Sequence, residues 1–290
     1  MLPLPPPELD AATVFEACSS AARSKKDQEA LKRLASTAAD AVSEYEGAAV
    51  GRSLHTLQHL QHQPGGPPAE NKPAAINKAL VNGYTSRMVG KQSAGRAYYD
   101  ELLASAPDGQ CLLCGHGVAD TLDHQLPKTL YPLLAVAPSN LAPACMYCNG
   151  NKRDMAPVDA ERQTLNPYFD HEAEQHTWLT ARISGPPVVV TFHALPPPAM
   201  PLILAARARH HFAELKLATL YASQAAGLIR VESRSLQGLE PRAAQDYLVK
   251  RAEEWTAEHR NGWQAALYTA LAVNVWFAAE GCQGGQPPAQ

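Results

Sequence analysis

Two closely spaced cysteine pairs place the strongest constraint on what this chain can fold into. The first pair is Cys111 and Cys114, the second is Cys145 and Cys148, and thirty residues separate them. A structural Zn²⁺ ion takes four thiolate or imidazole ligands in a tetrahedron, and two Cys-x-x-Cys turns supply four thiolates. The spacing therefore predicts a closed zinc site. Such a site brings the two ends of the thirty-residue insert together.

The composition limits the class of protein. The chain has 290 residues, of which 46% are hydrophobic and 18% charged, and its net charge is −3. These values are typical of a globular protein of one or two domains, and any positive charge offered to nucleic acid must be local. Six cysteines are too few for a secreted disulfide scaffold of this length. No segment has the length and hydropathy of a membrane span, so we predict a cytoplasmic protein that does not bind membranes.

The insert between the cysteine pairs contains the polar residues best suited to chemistry. Asp123 and His124 are adjacent in "TLDHQLP", Asn140 precedes the second pair, and Asn149 directly follows Cys148. A histidine can act as a general base near neutral pH, and Asp and Asn oxygens suit a hard divalent cation. We predict that the second pair opens a short helix. The zinc ion would then hold this helix against a strand that carries Asp123 and His124.

The order of these residues resembles a known family. The pattern "CLLC…LDHQLPK…NLAPACMYCNGNK", within residues 110–154, is similar to HNH endonucleases of the zinc-stabilised ββα-metal type, which are related to treble-clef zinc folds. His124, Asn140 and Asn149 match the three positions that name the motif, and the third is Asn here as in many members. The flanking "GRAYYDELL" and "LNPYFD" are more loosely similar to HNH proteins of bacterial anti-phage systems.

The resemblance implies a metal-dependent phosphodiesterase that acts on nucleic acid, with DNA favoured, in bacterial defence. His124 would deprotonate the attacking water, and Asn140 would hold the loop and orient His124. Asp123 and Asn149 would bind one catalytic Mg²⁺ or Mn²⁺ ion, separate from the zinc ion. The helical regions outside the motif suggest a further hypothesis, a regulatory partner protein such as an ATPase.

Two groups of basic residues are candidate nucleic-acid contacts. Residues 71–99 contain five basic side chains and no acidic one, with tyrosines interleaved, and they lead into the first cysteine pair. We select Lys91 and Arg96 from this stretch, and Lys152 and Arg153 after the second pair. A solvated surface is the simpler explanation of such charges, so the nuclease motif is what favours a contact with nucleic acid.

A non-catalytic protein is the main alternative. A treble-clef zinc module could bind nucleic acid or a protein partner without any reaction. The joint presence of Asp123, His124 and Asn149 favours the enzyme, because a binding module does not require an Asp-His pair.

The apolar periodicity predicts an α+β protein that is mainly helical, and the resemblance implies a central ββα-metal module at residues 109–155. Before the module we predict an N-terminal helical region, 1–63, and a linker with the basic segment, 64–108. After it we predict a C-terminal helical region, 156–290, with a short strand at 188–193. The individual helices are predicted at residues 8–22, 27–45, 201–223, 240–259 and 262–280.

Overall fold

The computed structural model describes residues 1–61 and 72–283, so the predicted boundary at 63/64 lies outside the described residues. Within them the protein is mixed α/β and mostly helical, with eleven α-helices and two small antiparallel sheets. The chain divides into two compact units. One is Leu2–His171, and the other is Glu172–Gln290 together with Met1.

The unit Leu2–His171 begins with helices that have clear start signals. The Asp10 carboxylate accepts a hydrogen bond from Thr13 N before the first helix, and Ser24 caps the second in the same way. The predicted helix at 27–45 is two helices, because Leu34 N bonds to Leu31 O in a tight turn that redirects the chain. The helices are α1 Ala11–Ser20, α2 Lys25–Arg33, α3 Ala35–Val50, α4 Lys72–Thr85 and α5 Arg96–Ala104.

Two short strands and a helix follow in the same unit. Strand β1, Thr121–His124, pairs antiparallel with β2, Leu141–Ala144, so that Asp123 lies opposite Ala142. Helix α6, Met146–Lys152, begins within the second cysteine pair, which confirms the predicted short helix.

The strands share their hydrophobic core with the helices that precede them. Leu122 of β1 and Leu141 of β2 are fully buried in a cluster with α1, α2, α4 and α5 side chains. Tyr45 of α3 lies in a second cluster with Leu126 and Leu134 from the loop between the strands. Burial of this apolar surface is the main force that holds β1 and its loop in place.

The unit formed by Glu172–Gln290 and Met1 contains a hairpin and five helices within its described residues. The predicted strand at 188–193 is present as β4 and pairs with β3, which the sequence did not predict. The predicted helices at 201–223 and 262–280 are each divided, the first at Lys216, whose φ is 52°, and the second at Asn274, which caps a new helix. The elements are β3 Leu179–Ser184, β4 Val189–Ala194, α7 Leu202–Glu214, α8 Leu217–Leu236, α9 Pro241–Glu258, α10 Trp263–Ala272 and α11 Val275–Ala279.

Trp178, Phe192, Tyr221 and Leu267 are buried in this second unit. Across the part of the chain that the structure describes, no helix is both long and apolar enough to cross a membrane.

Candidate metal centre and active site

The four paired cysteines come together as a metal centre. Their sulfur atoms all lie within 4.8 Å of one another, and all four residues are buried. The Sγ atoms of Cys114 and Cys145 are 3.9 Å apart. With Zn–S bonds of about 2.3 Å, a regular tetrahedron has sulfurs about 3.8 Å apart. The spacing of Cys111, Cys114, Cys145 and Cys148 therefore suits a structural zinc ion.

Two glycines allow the first cysteine pair to turn tightly. Gly115 has a φ of 61°, in the left-handed region that favours glycine, and its N–H donates to Cys111 O. Gly117 N donates to Cys114 Sγ at 3.3 Å. A Cβ atom on Gly117 would lie 2.9 Å from Cys145 Sγ, so a side chain there would displace a metal ligand.

The second cysteine pair is held at the start of α6. Cys145 is in the N-cap position, and Met146 N donates to Asp120 Oδ1 at 3.0 Å. Asp120 immediately precedes β1, and its negative charge is favourable beside a helix N-terminus. This bond ties the metal-binding helix to the strand that carries Asp123 and His124.

One face of β1 lies against α6. Thr121 and Asp123 share this face because side chains alternate along a strand. Asn149 Nδ2 donates to Thr121 Oγ1 at 3.3 Å, and Lys152 Nζ lies 2.9 Å from Asp123 Oδ2. Asp123 and Asn149, the two predicted ligands of a catalytic ion, therefore both lie along the contact between β1 and α6.

Lys152 is placed differently from its prediction as a phosphate contact. Its side chain is 2% exposed, and its ammonium also donates to His124 O. The structure therefore buries Lys152 between α6 and β1, away from the exposed surface. Helix geometry explains this, because residues 149 and 152 are three apart and face the same strand.

Asp123 is a buried carboxylate with an unusual environment. Burial raises its pKa, while the nearby Lys152 ammonium opposes that rise. The Lys152 ammonium lies 2.9 Å from Oδ2, so this oxygen already has a cationic partner. A buried carboxylate oxygen in this state is suited to a cation.

His124 is fixed by its ring contacts. Its ring meets the Tyr84 ring edge-on with centroids 4.4 Å apart, and Nε2 lies 2.9 Å from Ala135 O. A carbonyl can only accept, so the neutral imidazole carries its proton on Nε2 and Nδ1 is left as the proton acceptor. Burial, followed by the charge of Lys128, lowers the pKa of His124 to about 3. The imidazole is therefore neutral at pH 7.

Asn140 organises the loop between β1 and β2. It is fully buried, and its Oδ1 accepts from Leu126 N at 2.8 Å. Its Nδ2 donates to Leu126 O at 3.0 Å and to Leu134 O at 3.1 Å. Because Ala135 follows Leu134, this network positions the carbonyl that orients His124. The geometry agrees with the loop-holding role predicted for Asn140.

The other three residues predicted to contact nucleic acid differ in how exposed their charged groups are and in what those groups already bind. Arg96 is held by Asp100 at 2.7 Å and by Val89 O, so the structure uses its guanidinium locally. Arg153 is exposed directly after α6. Lys91 is exposed and lines a polar cavity of about 830 Å³.

Two further arginines line the same cavity as Lys91. Arg23 and Arg87 join it there, against one acidic residue, Asp27, so the charged lining has three positive groups and one negative group. Arg87 belongs to the basic stretch already noted. Arg23 lies far from that stretch in sequence, and only the fold brings it close.

The chain was compared with known proteins. No family model matches it, and no solved structure matches it. It is 34% identical over 146 residues to protein ea31 of Escherichia phage lambda. That similarity covers 49% of this chain and 49% of ea31, so the chain aligns with about half the length of this relative. The similarity assigns no activity, and the function has to be argued from the site.

Proposed function

We propose that this protein is a zinc-stabilised HNH-type endonuclease that hydrolyses phosphodiester bonds in nucleic acid, with DNA as the favoured substrate, in bacterial defence. The observation that carries the proposal is the state of His124. Its Nε2 is engaged by Ala135 O, which leaves Nδ1 as a proton acceptor. Burial and the charge of Lys128 lower the pKa of His124, so they keep the imidazole neutral but weaken it as a base. The strand–strand–helix order around the four cysteines supports the family assignment.

Each of three side chains has a separate role in the proposed hydrolysis. His124 takes a proton from the attacking water at Nδ1, and Ala135 O stabilises the resulting imidazolium through Nε2–H. Asn140 keeps this carbonyl in place through its three hydrogen bonds. Tyr84 supports the ring from the side, and its own hydroxyl donates to Leu122 O at 2.9 Å.

Asp123 and Asn149 would hold one Mg²⁺ or Mn²⁺ ion. Their oxygen donors suit a hard cation, and the ion would have to replace the Lys152 ammonium that lies 2.9 Å from Asp123 Oδ2. When bound, the ion supplies positive charge that stabilises the phosphate and the leaving oxygen in the transition state.

The cavity around Lys91 would contact the phosphate backbone of the substrate. Helix α4 links this cavity to the His124 site, because Asn82 of α4 lines the cavity and Tyr84 of α4 contacts His124. Cationic side chains that neutralise phosphates give affinity that decreases with salt. Arg153 is a further phosphate contact in this proposal.

Replacing two of the cavity cations is expected to weaken DNA binding. In Arg23→Ala/Lys91→Ala we expect the slope of log affinity against log salt to become shallower by about 1.8, since each phosphate contact contributes about 0.9. Fluorescence anisotropy of a labelled duplex with zinc-loaded protein and no added Mg²⁺ or Mn²⁺ measures this. Lys32→Ala removes an exposed charge outside the cavity and serves as the control. Equal slopes for the double variant and the control would place the DNA elsewhere.

The proposed activity is tested with supercoiled plasmid and purified, zinc-loaded protein. We expect nicked and linear DNA with Mg²⁺ or Mn²⁺ and none when the zinc-loaded protein is incubated without an added divalent ion. Single-stranded DNA and RNA are incubated in parallel, because they determine the substrate class. Absence of cleavage on all three substrates with either ion would contradict the proposal.

A non-catalytic zinc module is the second candidate, and the Asp123–Lys152 pair favours it, because that carboxylate already has a cation beside it. Binding of nucleic acid without cleavage would support this non-catalytic module. A regulatory partner protein such as an ATPase remains a separate proposal. If this protein does not co-purify with a protein encoded by a neighbouring gene, that result would count against the partner proposal.

A further inference from the structure

The buried ammonium of Lys152 stands at the carboxylate that the proposed endonuclease uses for its divalent ion. Nζ lies 2.9 Å from Asp123 Oδ2, and the two side chains are only 2% and 3% exposed. An ammonium and a divalent cation repel each other strongly at such short range in a poorly solvated site. The two cations therefore cannot share this oxygen.

We propose that Lys152 is an internal cation that competes with the divalent metal ion for Asp123 and thereby sets the metal affinity of the site. In the metal-free protein Lys152 neutralises the buried carboxylate. Metal binding requires its ammonium to withdraw from Asp123. This inference rests on the proposed function, which makes Asp123 a metal ligand.

The position of Lys152 makes such a withdrawal feasible. It is the last residue of α6, and Arg153 after it leaves the helix with a φ of 52°. The side chain is a flexible four-carbon stem with a single charged group. Among the described residues its polar partners are the Asp123 carboxylate and His124 O. Both are on β1, so one movement of the stem releases both contacts.

The Asp123–Lys152 pair also explains how the buried carboxylate is tolerated in the metal-free protein. An unpaired charge at this depth would be strongly destabilising, whereas a paired one is tolerated. Lys152 therefore keeps the metal-free site folded. The divalent ion takes over the same compensating charge when it binds.

Metal affinity is the first test, with Mn²⁺ as the probe and electron paramagnetic resonance as the readout on the zinc-loaded full chain. Lys152→Met keeps an unbranched side chain, one atom shorter, and removes its charge. We expect this variant to bind Mn²⁺ about tenfold or more tightly than the wild type. Lys32→Met, an exposed control on α2, should match the wild type, and Asp123→Asn should lose the site. Unchanged or weaker binding by Lys152→Met, or none by any form, would refute the competition.

Amine labelling of the wild-type chain tests the same idea without a variant that could fail to fold. Lys152 should resist an amine-reactive reagent without metal, because it is buried. It should become labelled at a Mg²⁺ concentration that fills the site, while exposed Lys32 is labelled equally in both conditions. Protection of Lys152 at saturating Mg²⁺ would overturn the inference. Neither readout involves cleavage. A protein that binds the ion and releases Lys152 but cuts no nucleic acid would therefore contradict the proposed endonuclease activity and leave the competition by Lys152 standing.

Discussion

Removal of zinc is expected to unfold the segment that carries the proposed active site. Structural zinc binding contributes on the order of 10–16 kcal/mol in small zinc domains, as much as the whole stability of a typical domain, about 5–15 kcal/mol. Cys111 and Cys114 lie in the loop before β1, Cys145 directly follows β2 and Cys148 lies in α6, so these elements lose their common anchor without the ion. We expect a chelator to abolish the thermal transition of the unit Leu2–His171, with loss of one zinc ion per chain.

A pair of cysteine variants distinguishes the effect of losing the metal ion from the effect of losing a buried thiol. Cys148→Ser removes a ligand, whereas Cys18→Ala removes a buried cysteine of the same unit outside the metal centre. Cys148→Ser should contain less zinc and melt at lower temperature than Cys18→Ala. Equal zinc content and equal stability in the two variants would show that the four cysteines do not form a structural metal centre.

Asn140→Ala is expected to destabilise the protein by about 3 kcal/mol or more. The change removes three buried hydrogen bonds and leaves Leu126 N and two carbonyls without that partner. Each buried group left unsatisfied costs about 1–3 kcal/mol, although partial relaxation reduces the sum. Urea denaturation of the zinc-loaded protein measures the free energy of unfolding.

The matched control is Asn151→Ala. This amide lies partly exposed on α6 and makes one local hydrogen bond, to Tyr147 O. Its loss should cost well under 1 kcal/mol, in line with surface substitutions. A similar small effect for Asn140→Ala would mean that the loop carrying Ala135 is held by packing alone, and that Asn140 does not position His124 through it.

The candidate site could be predicted largely from local sequence because its chemistry is encoded at short spacing. Two Cys-x-x-Cys turns define a ligand set without knowledge of the fold. Asp123 and His124 were placed on a strand, and the structure has them at the end of β1. The sequence predicts Lys152 as a phosphate contact, which requires an exposed side chain, whereas the structure buries it. Its spacing of three from Asn149 on a short helix was the signal that could have placed it inside the site.

The parts that sequence missed depend on tertiary packing. Residues 27–45 have a continuous helical pattern, yet the chain turns at Leu34 so that α2 and α3 both bury apolar side chains. Five of the six residues of strand β3 are partly or fully exposed, so the strand lacks a clear hydrophobic run. Arg23 joins Lys91 in one cavity only through the fold.

The decisive measurement is the rate of plasmid cleavage by His124→Ala, compared with wild type and with His193→Ala under single-turnover conditions. His193 is a partly exposed histidine of β4 and has no place in the proposed site. Loss of a general base lowers a rate by about 10²–10⁴-fold. We therefore expect His124→Ala to lose at least about a hundredfold while its zinc content and thermal midpoint show a folded protein, and His193→Ala to keep the wild-type rate. Equal rates for all three proteins would contradict the assignment of His124 as the base.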